Sequence, residues 1–185
     1  MARPKSLKVV CNFKDINSVE DTLIEIHLRL AISNKLVELD LPLRAAAERV
    51  GMSLGKFVYQ LNDSVAGGPY NYLIMANKLD IRGYFSLVVY NEAKQRRTIK
   101  YKLSEIHDTL HEYEALICEE INARMVSNNI SLRKLSTLVG MSTTNITYHL
   151  NNTNGRSLQS LMLIACKLNI RGEILLSLEL PPETN

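Results

Sequence analysis

Six hydrogen-bonding side chains, Thr143, Thr144, Asn145, Thr147, Tyr148 and Asn151, crowd into one short stretch, with Ile146 and Leu150 set between them at helical spacing. On a helix the two apolar residues turn toward a core and the six polar ones stay on the outside. Groups of this kind recognise; they are not the acids, bases or nucleophiles of catalysis. Asparagine pairs with the edge of adenine, threonine offers a hydroxyl to bases or phosphates and a methyl to thymine, and tyrosine reaches phosphate. Arg156, in the following loop NTNGRS, stands where a phosphate contact is expected. The plainer alternative is a pair of short helices that merely packs.

The elements that must hold this surface can be read just upstream. Leu132, Leu135, Leu138 and Val139 recur at helical spacing and predict one helix with an inward stripe. Gly140 supplies the left-handed residue that closes it. Met141 follows as an apolar plug, and Ser142 has the chemistry of an N-cap for the next helix. A helix, a glycine turn and a second helix with a short polar face make the helix-turn-helix plan, whose second helix enters the DNA major groove.

The chain contains this unit twice. Residues 43–83 align without a gap to 132–172, a shift of 89 positions, with 15 of 41 residues identical, where roughly 2 or 3 would agree by chance. Gly51, Met52, Ser53, Phe57 and Leu61 repeat the turn, plug, cap and core positions. The outward residues of the first copy are Leu54, Gly55, Lys56, Val58, Tyr59 and Asn62, a less polar set. Lys56, Tyr59 and Asn62 are its candidate DNA contacts. Leu54 and Val58 suit thymine methyls or the surface of another protein.

Beyond the turn, the segments YLIMANKLDIRGYFSLVV and LMLIACKLNIRGEILLSL resemble the fourth and fifth helices of the lambda-repressor-like, Cro-type helix-turn-helix domain. The resemblance spans about 30–89 and 120–179. It implies an all-α protein of two duplicated five-helix domains, with recognition helices at about 54–62 and 143–151. The chain departs from the family in having Leu43 and Leu132 where glutamine is frequent, and in its tandem arrangement.

The remaining sequence is expected to divide as follows: a basic N-terminal arm or strand over 1–17, the first domain over 18–89, a basic linker or strand over 90–103 and the second domain over 104–180. Arg3, Lys5, Lys8 and Lys14 surround LKVVCNF, which fits a short strand at 7–13. Lys94, Arg96, Arg97, Lys100 and Lys102 form a second basic cluster, with a strand expected at 98–103; Arg96 and Arg97 are candidate DNA contacts. If the two strands pair, they lock the halves about a pseudo-two-fold and one chain imitates a dimer. Ser18 with Asp21 resembles a capping box for a helix carrying Val19, Leu23, Ile26, Leu30 and Val37 on one apolar face. A longer helix from Ser104 to about Ser127, with Leu103, Ile106, Leu110, Tyr113, Ile117 and Ile121 in a seam, offers a homodimer or protein-partner contact.

The 185 residues carry a net charge of +3, which permits a nucleic-acid partner without demanding one. The three cysteines form no CxxC pair, so neither a disulfide framework nor a zinc finger is signalled and a reduced, cytoplasmic, nucleoid-associated setting is expected. His107 and His111 stand four apart with no third ligand evident, so no metal site is expected. The stretch MARPKSLKVV lacks a long apolar core and no apolar run approaches membrane length, so neither a signal peptide nor a membrane span is expected. The sequence shows no nucleophile elbow, phosphate loop or paired acidic motif. The expectation is therefore a non-enzymatic, cofactor-free regulator of transcription, repressor-like, that binds double-stranded DNA, with an antiactivator- or antitoxin-like protein-interaction module as the alternative.

Overall fold

The runs GYFSLVVY and GEILLSLE, expected to be the last helix of each domain, are strands. A computed structural model describes residues 6–16, 23–62, 68–106, 110–151 and 157–179. Its first half runs β1 (Ser6–Asn12), α1 (Leu23–Glu38), α2 (Leu43–Val50), α3 (Leu54–Asn62), α4 (Gly68–Lys78) and β2 (Gly83–Tyr90). The second half repeats the order: β3 (Arg96–Lys102), α5 (Leu110–Ser127), α6 (Leu132–Val139), α7 (Thr143–Asn151), α8 (Leu158–Lys167) and β4 (Gly172–Glu179). The expected all-α fold is thus corrected to a mixed one, with eight helices and a four-stranded antiparallel sheet among the described residues. The physical reason is the shortness of the runs. In β4 only Ile174, Leu176 and Leu178 are buried, on one face of the sheet, whereas in the inner strand β2 every residue from Phe85 to Val89 is buried, and an apolar run this short suits a helix or a strand equally well.

The strands lie in the order β1-β4-β2-β3. The N-terminal strands, expected at 7–13 and 98–103, do form, yet they do not pair with each other. Each adds instead to the last strand of the opposite half: β1 pairs with β4, and β3 with β2. The two last strands meet in the middle, where Ser86 faces Leu175, its own counterpart 89 residues on. Gly83 faces Leu178 and Val89 faces Gly172, pairs that the same shift converts into one another. Because matched residues point to the same face, the pseudo-two-fold axis runs normal to the sheet between Ser86 and Leu175.

Backbone bonds repeat the exchange at both ends. The Tyr90 N–H donates to the Arg171 carbonyl at 2.9 Å, and the Glu179 N–H donates to the Arg82 carbonyl at 3.1 Å. Gly83, at φ +154°, lies so close to β4 that a Cβ there would stand 2.1 Å from the Ser177 carbonyl oxygen. A 3-10 turn at Phe13–Asp15 follows β1 and packs on α8, while its counterpart at Leu103–Glu105 packs on α4. The halves exchange turns as well as strands.

Helices cover the buried face of the sheet, and Lys8, Val10, Thr98 and Lys100 are exposed on the other. α1 lies on β1 and β4, α5 lies on β2, and α4 meets α8 near the axis. A buried polar link joins the halves, the Gln159 amide donating to the Glu25 carboxylate at 2.5 Å. α2 packs on α4, and α6 and α7 pack on α8, so each helix-turn-helix is carried by a helix next to the axis.

Two helical expectations shift in detail. On α1 the buried stripe is Ile24, Leu28, Ile32 and Leu36, while Leu30 is 55% and Val37 82% exposed. The second long helix begins at Leu110, because the 3-10 turn takes Leu103 into the core; Tyr113, Ile117 and Ile121 are buried as expected, against this chain's own core. Arg3, Lys5, Ser18, Val19, Asp21, His107 and Arg156 lie outside the described residues.

Candidate nucleic-acid interface

Both turns are built as their residue types require. Gly140 has φ +76° and Gly51 φ +74°, left-handed values at which any side chain is strained. The Gly140 N–H donates to the Ser136 carbonyl at 2.9 Å. Ser142 Oγ accepts the Asn145 N–H at 3.1 Å, and Ser53 Oγ accepts the Lys56 N–H at 3.3 Å. These caps fix where the first turn of each second helix points. Ile146, Leu150 and Phe57 are buried below them and Leu61 is half-buried. In α6 only Leu135 of the expected stripe is buried; Val139 is half-buried, and Leu132 and Leu138 are exposed because nothing in the described structure covers that flank.

The outer face of α7 is open. Thr143, Thr144, Asn145, Tyr148 and Asn151 are exposed and Thr147 is half-buried. Thr143, Thr144, Thr147, Tyr148 and Asn151 line a shallow depression with Leu132, and Tyr148 is 45% exposed. His149 anchors the flank: its carbonyl accepts the Cys118 thiol at 3.8 Å, and its Nδ1 accepts the Ser157 N–H at 3.5 Å. Burial lowers the imidazole pKa from its ordinary value.

On α3 the equivalent face is also open but different in kind. Leu54, Gly55, Lys56, Tyr59 and Asn62 are exposed and Val58 is half-buried. The buried Tyr72 hydroxyl donates to the Gln60 carbonyl at 2.7 Å and ties the helix to α4.

The two faces are brought into relation by the pseudo-two-fold, whereas the basic cluster sits elsewhere. Arg96 is exposed on the edge strand β3. Arg97 turns to α5, pairing with Glu119 at 2.9 Å and Glu120 at 3.1 Å, and these hydrogen bonds raise its pKa. Lys102 pairs with Glu105 at 2.9 Å, and Lys100 lies 4.2 Å from the centre of the Tyr84 ring. Charges on an outermost strand also keep sheets from joining edge to edge.

Sequence reasoning passed over Arg44 and Arg133. They occupy matched positions at the start of α2 and α6, and both are exposed. The signal was present, since a residue shared by the two copies on the outside is not kept for core packing.

No family model, curated protein or solved structure matches this chain. The Cro-type resemblance rests on the sequence motifs. Among the described residues no helix is long and apolar enough to cross a membrane.

Proposed function

We propose that the protein is a sequence-specific, double-stranded DNA-binding regulator of transcription, acting in the cytoplasm as a repressor that occupies its operator. One observation carries this: the exposed polar face of α7, capped at both ends of its turn, has a counterpart on α3 across an axis normal to the sheet. A duplex has dyads of its own, and dimeric helix-turn-helix proteins match them with two recognition helices. Here a single chain supplies both. Asn145 and Thr144 lie in the first turn of α7, the part of a recognition helix that reaches base edges. Arg44 and Arg133 supply charge for phosphates, which contributes most of the sequence-independent affinity.

Selection of bound sites from random duplexes tests the proposal, followed by titration of Asn145→Ala and Thr144→Ala. Each is expected to cost about 1–3 kcal/mol on the selected site and little on random DNA. Equal losses on both would assign these residues to the phosphates, and no enriched sequence would remove DNA reading altogether. A protein-interaction role is the second reading. It is favoured by the apolar exposure of the first copy, where Leu43 is 46%, Leu54 38% and Tyr59 55% exposed.

A further inference from the structure

The pseudo-two-fold relates two surfaces that are unlike. The shift of 89 residues that superimposes the strands also matches Leu54 with Thr143, Gly55 with Thr144, Lys56 with Asn145 and Val58 with Thr147, and it matches Tyr59 with Tyr148 and Asn62 with Asn151. The identical pairs lie toward the C-terminal end of the recognition helices, and Arg44 and Arg133 are identical at the start of the preceding helices. The first turn, which enters the groove, is where the chemistry diverges.

A symmetric homodimer cannot differ in this way, because its dyad makes both reading helices the same. Fusion into one chain removes that constraint while the exchanged strands keep the geometry of a dimer. From this we infer that the target is an asymmetric duplex site, two different half-sites about one dyad, bound by one chain in one orientation. The inference rests on the DNA-binding reading above and specifies its substrate.

The residues state what each half-site holds. Under α7, Asn145 offers the donor and acceptor that adenine N7 and N6 require, and Thr143 and Thr144 add hydroxyls and thymine-facing methyls. That half-site contains A·T pairs and is stringent. Under α3, Lys56 is a donor only, suited to the paired acceptors of guanine, and Leu54 suits a thymine methyl. Gly55 has no side chain, and a Cβ placed there meets nothing within 4 Å. That half-site contains guanine and tolerates variation at the step facing Gly55. The shared Tyr59 and Tyr148, with Arg44 and Arg133, hold the backbone alike on both sides.

The test uses the full chain and selection from random duplexes, with the mass of the complex giving the number of chains per site. Two unlike half-motifs bound by one chain, and at least about tenfold weaker binding to either palindrome made by doubling one half-motif, are the expected results. A palindromic motif, a single half-motif or two chains per site would overturn the inference while leaving DNA binding intact. No enriched motif would instead overturn the DNA-binding reading itself. The variant Leu54→Thr, Gly55→Thr, Lys56→Asn gives α3 the first turn of α7, and its selected site is expected to become a palindrome of the α7 half-motif. Should that variant fail to fold, Lys56→Ala serves: it is expected to relax one half-motif only, and relaxation of both or of neither would count against the proposal.

Discussion

Replacing Gly83 by alanine strikes the joint between the halves at its tightest point. A Cβ there would lie 2.1 Å from the Ser177 carbonyl oxygen, so β2 and β4 must part by about 1 Å or more before the contact is tolerable. The atom in the way is backbone, and it cannot step aside as a side-chain tip would. Stretching the central strand pair forfeits hydrogen bonds worth about 1 kcal/mol each, and with the strain at φ +154° the total comes to about 3–5 kcal/mol. For a chain of this size that lowers the melting temperature by about 8–15 °C. Two other glycines calibrate the result. Gly51→Ala meets nothing within 4 Å but keeps φ +74°, so strain alone costs about 1–2 kcal/mol. Gly55→Ala meets nothing and needs no left-handed backbone, so it is expected to stabilise α3 by up to about 1 kcal/mol. Scanning calorimetry should rank the three in this order, each with a single transition. A Gly83→Ala protein as stable as Gly51→Ala, or separate melting of the two halves, would refute the reasoning.

Other consequences are as open to measurement. Because burial lowers the His149 pKa from 6.5, the unfolded chain takes up the proton more readily; stability is complete above that value and is lost as pH falls through it. Urea midpoints between about pH 7 and pH 5 should fall less in His149→Gln than in the parent, and equal slopes would dismiss the imidazole as a source. Tyr72→Phe removes the hydroxyl that ties α3 to α4 through the Gln60 carbonyl and should cost about 1–2 kcal/mol in urea unfolding; a variant as stable as the parent would show that this bond adds nothing to the hold on α3. Burial, with Asp15 and Glu25 nearby, pushes the Cys11 thiol up to about 11, and Cys118 is buried, so a thiol reagent near neutral pH should label the half-buried Cys166 first. Labelling of Cys11 ahead of it would contradict the burial described here.

The parts of this fold that are local were readable in the sequence. Gly51, Gly140, Ser53 and Ser142 each act within a few residues of their own position, and each is found where its chemistry placed it. The outer face of α7 was readable for the same reason, since Ile146 and Leu150 leave only one side for the polar residues. β2 and β4 were misread because all their evidence is non-local. Nothing within GYFSLVVY says that its neighbours are Arg96–Lys102 and Gly172–Glu179, and without those neighbours the run suits a helix. Arg97 was assigned to DNA on charge alone, whereas Glu119 and Glu120, beside it only in space, claim its guanidinium.

The exchange of end strands also dictates when the protein can become whole. β1 leaves the ribosome before every other described element, and its neighbour β4 leaves after all of them. Early helices can form during synthesis and α1 can cover the apolar face of β1, but the hydrogen-bonding edge of β1 that takes β4 stays unpaired until translation has passed Glu179. Such a nascent chain is a natural client for holdase chaperones. Loss of a few residues from β4, which pairs with both β1 and β2, would disable both halves at once, so partial degradation leaves no intact half carrying one helix-turn-helix alone.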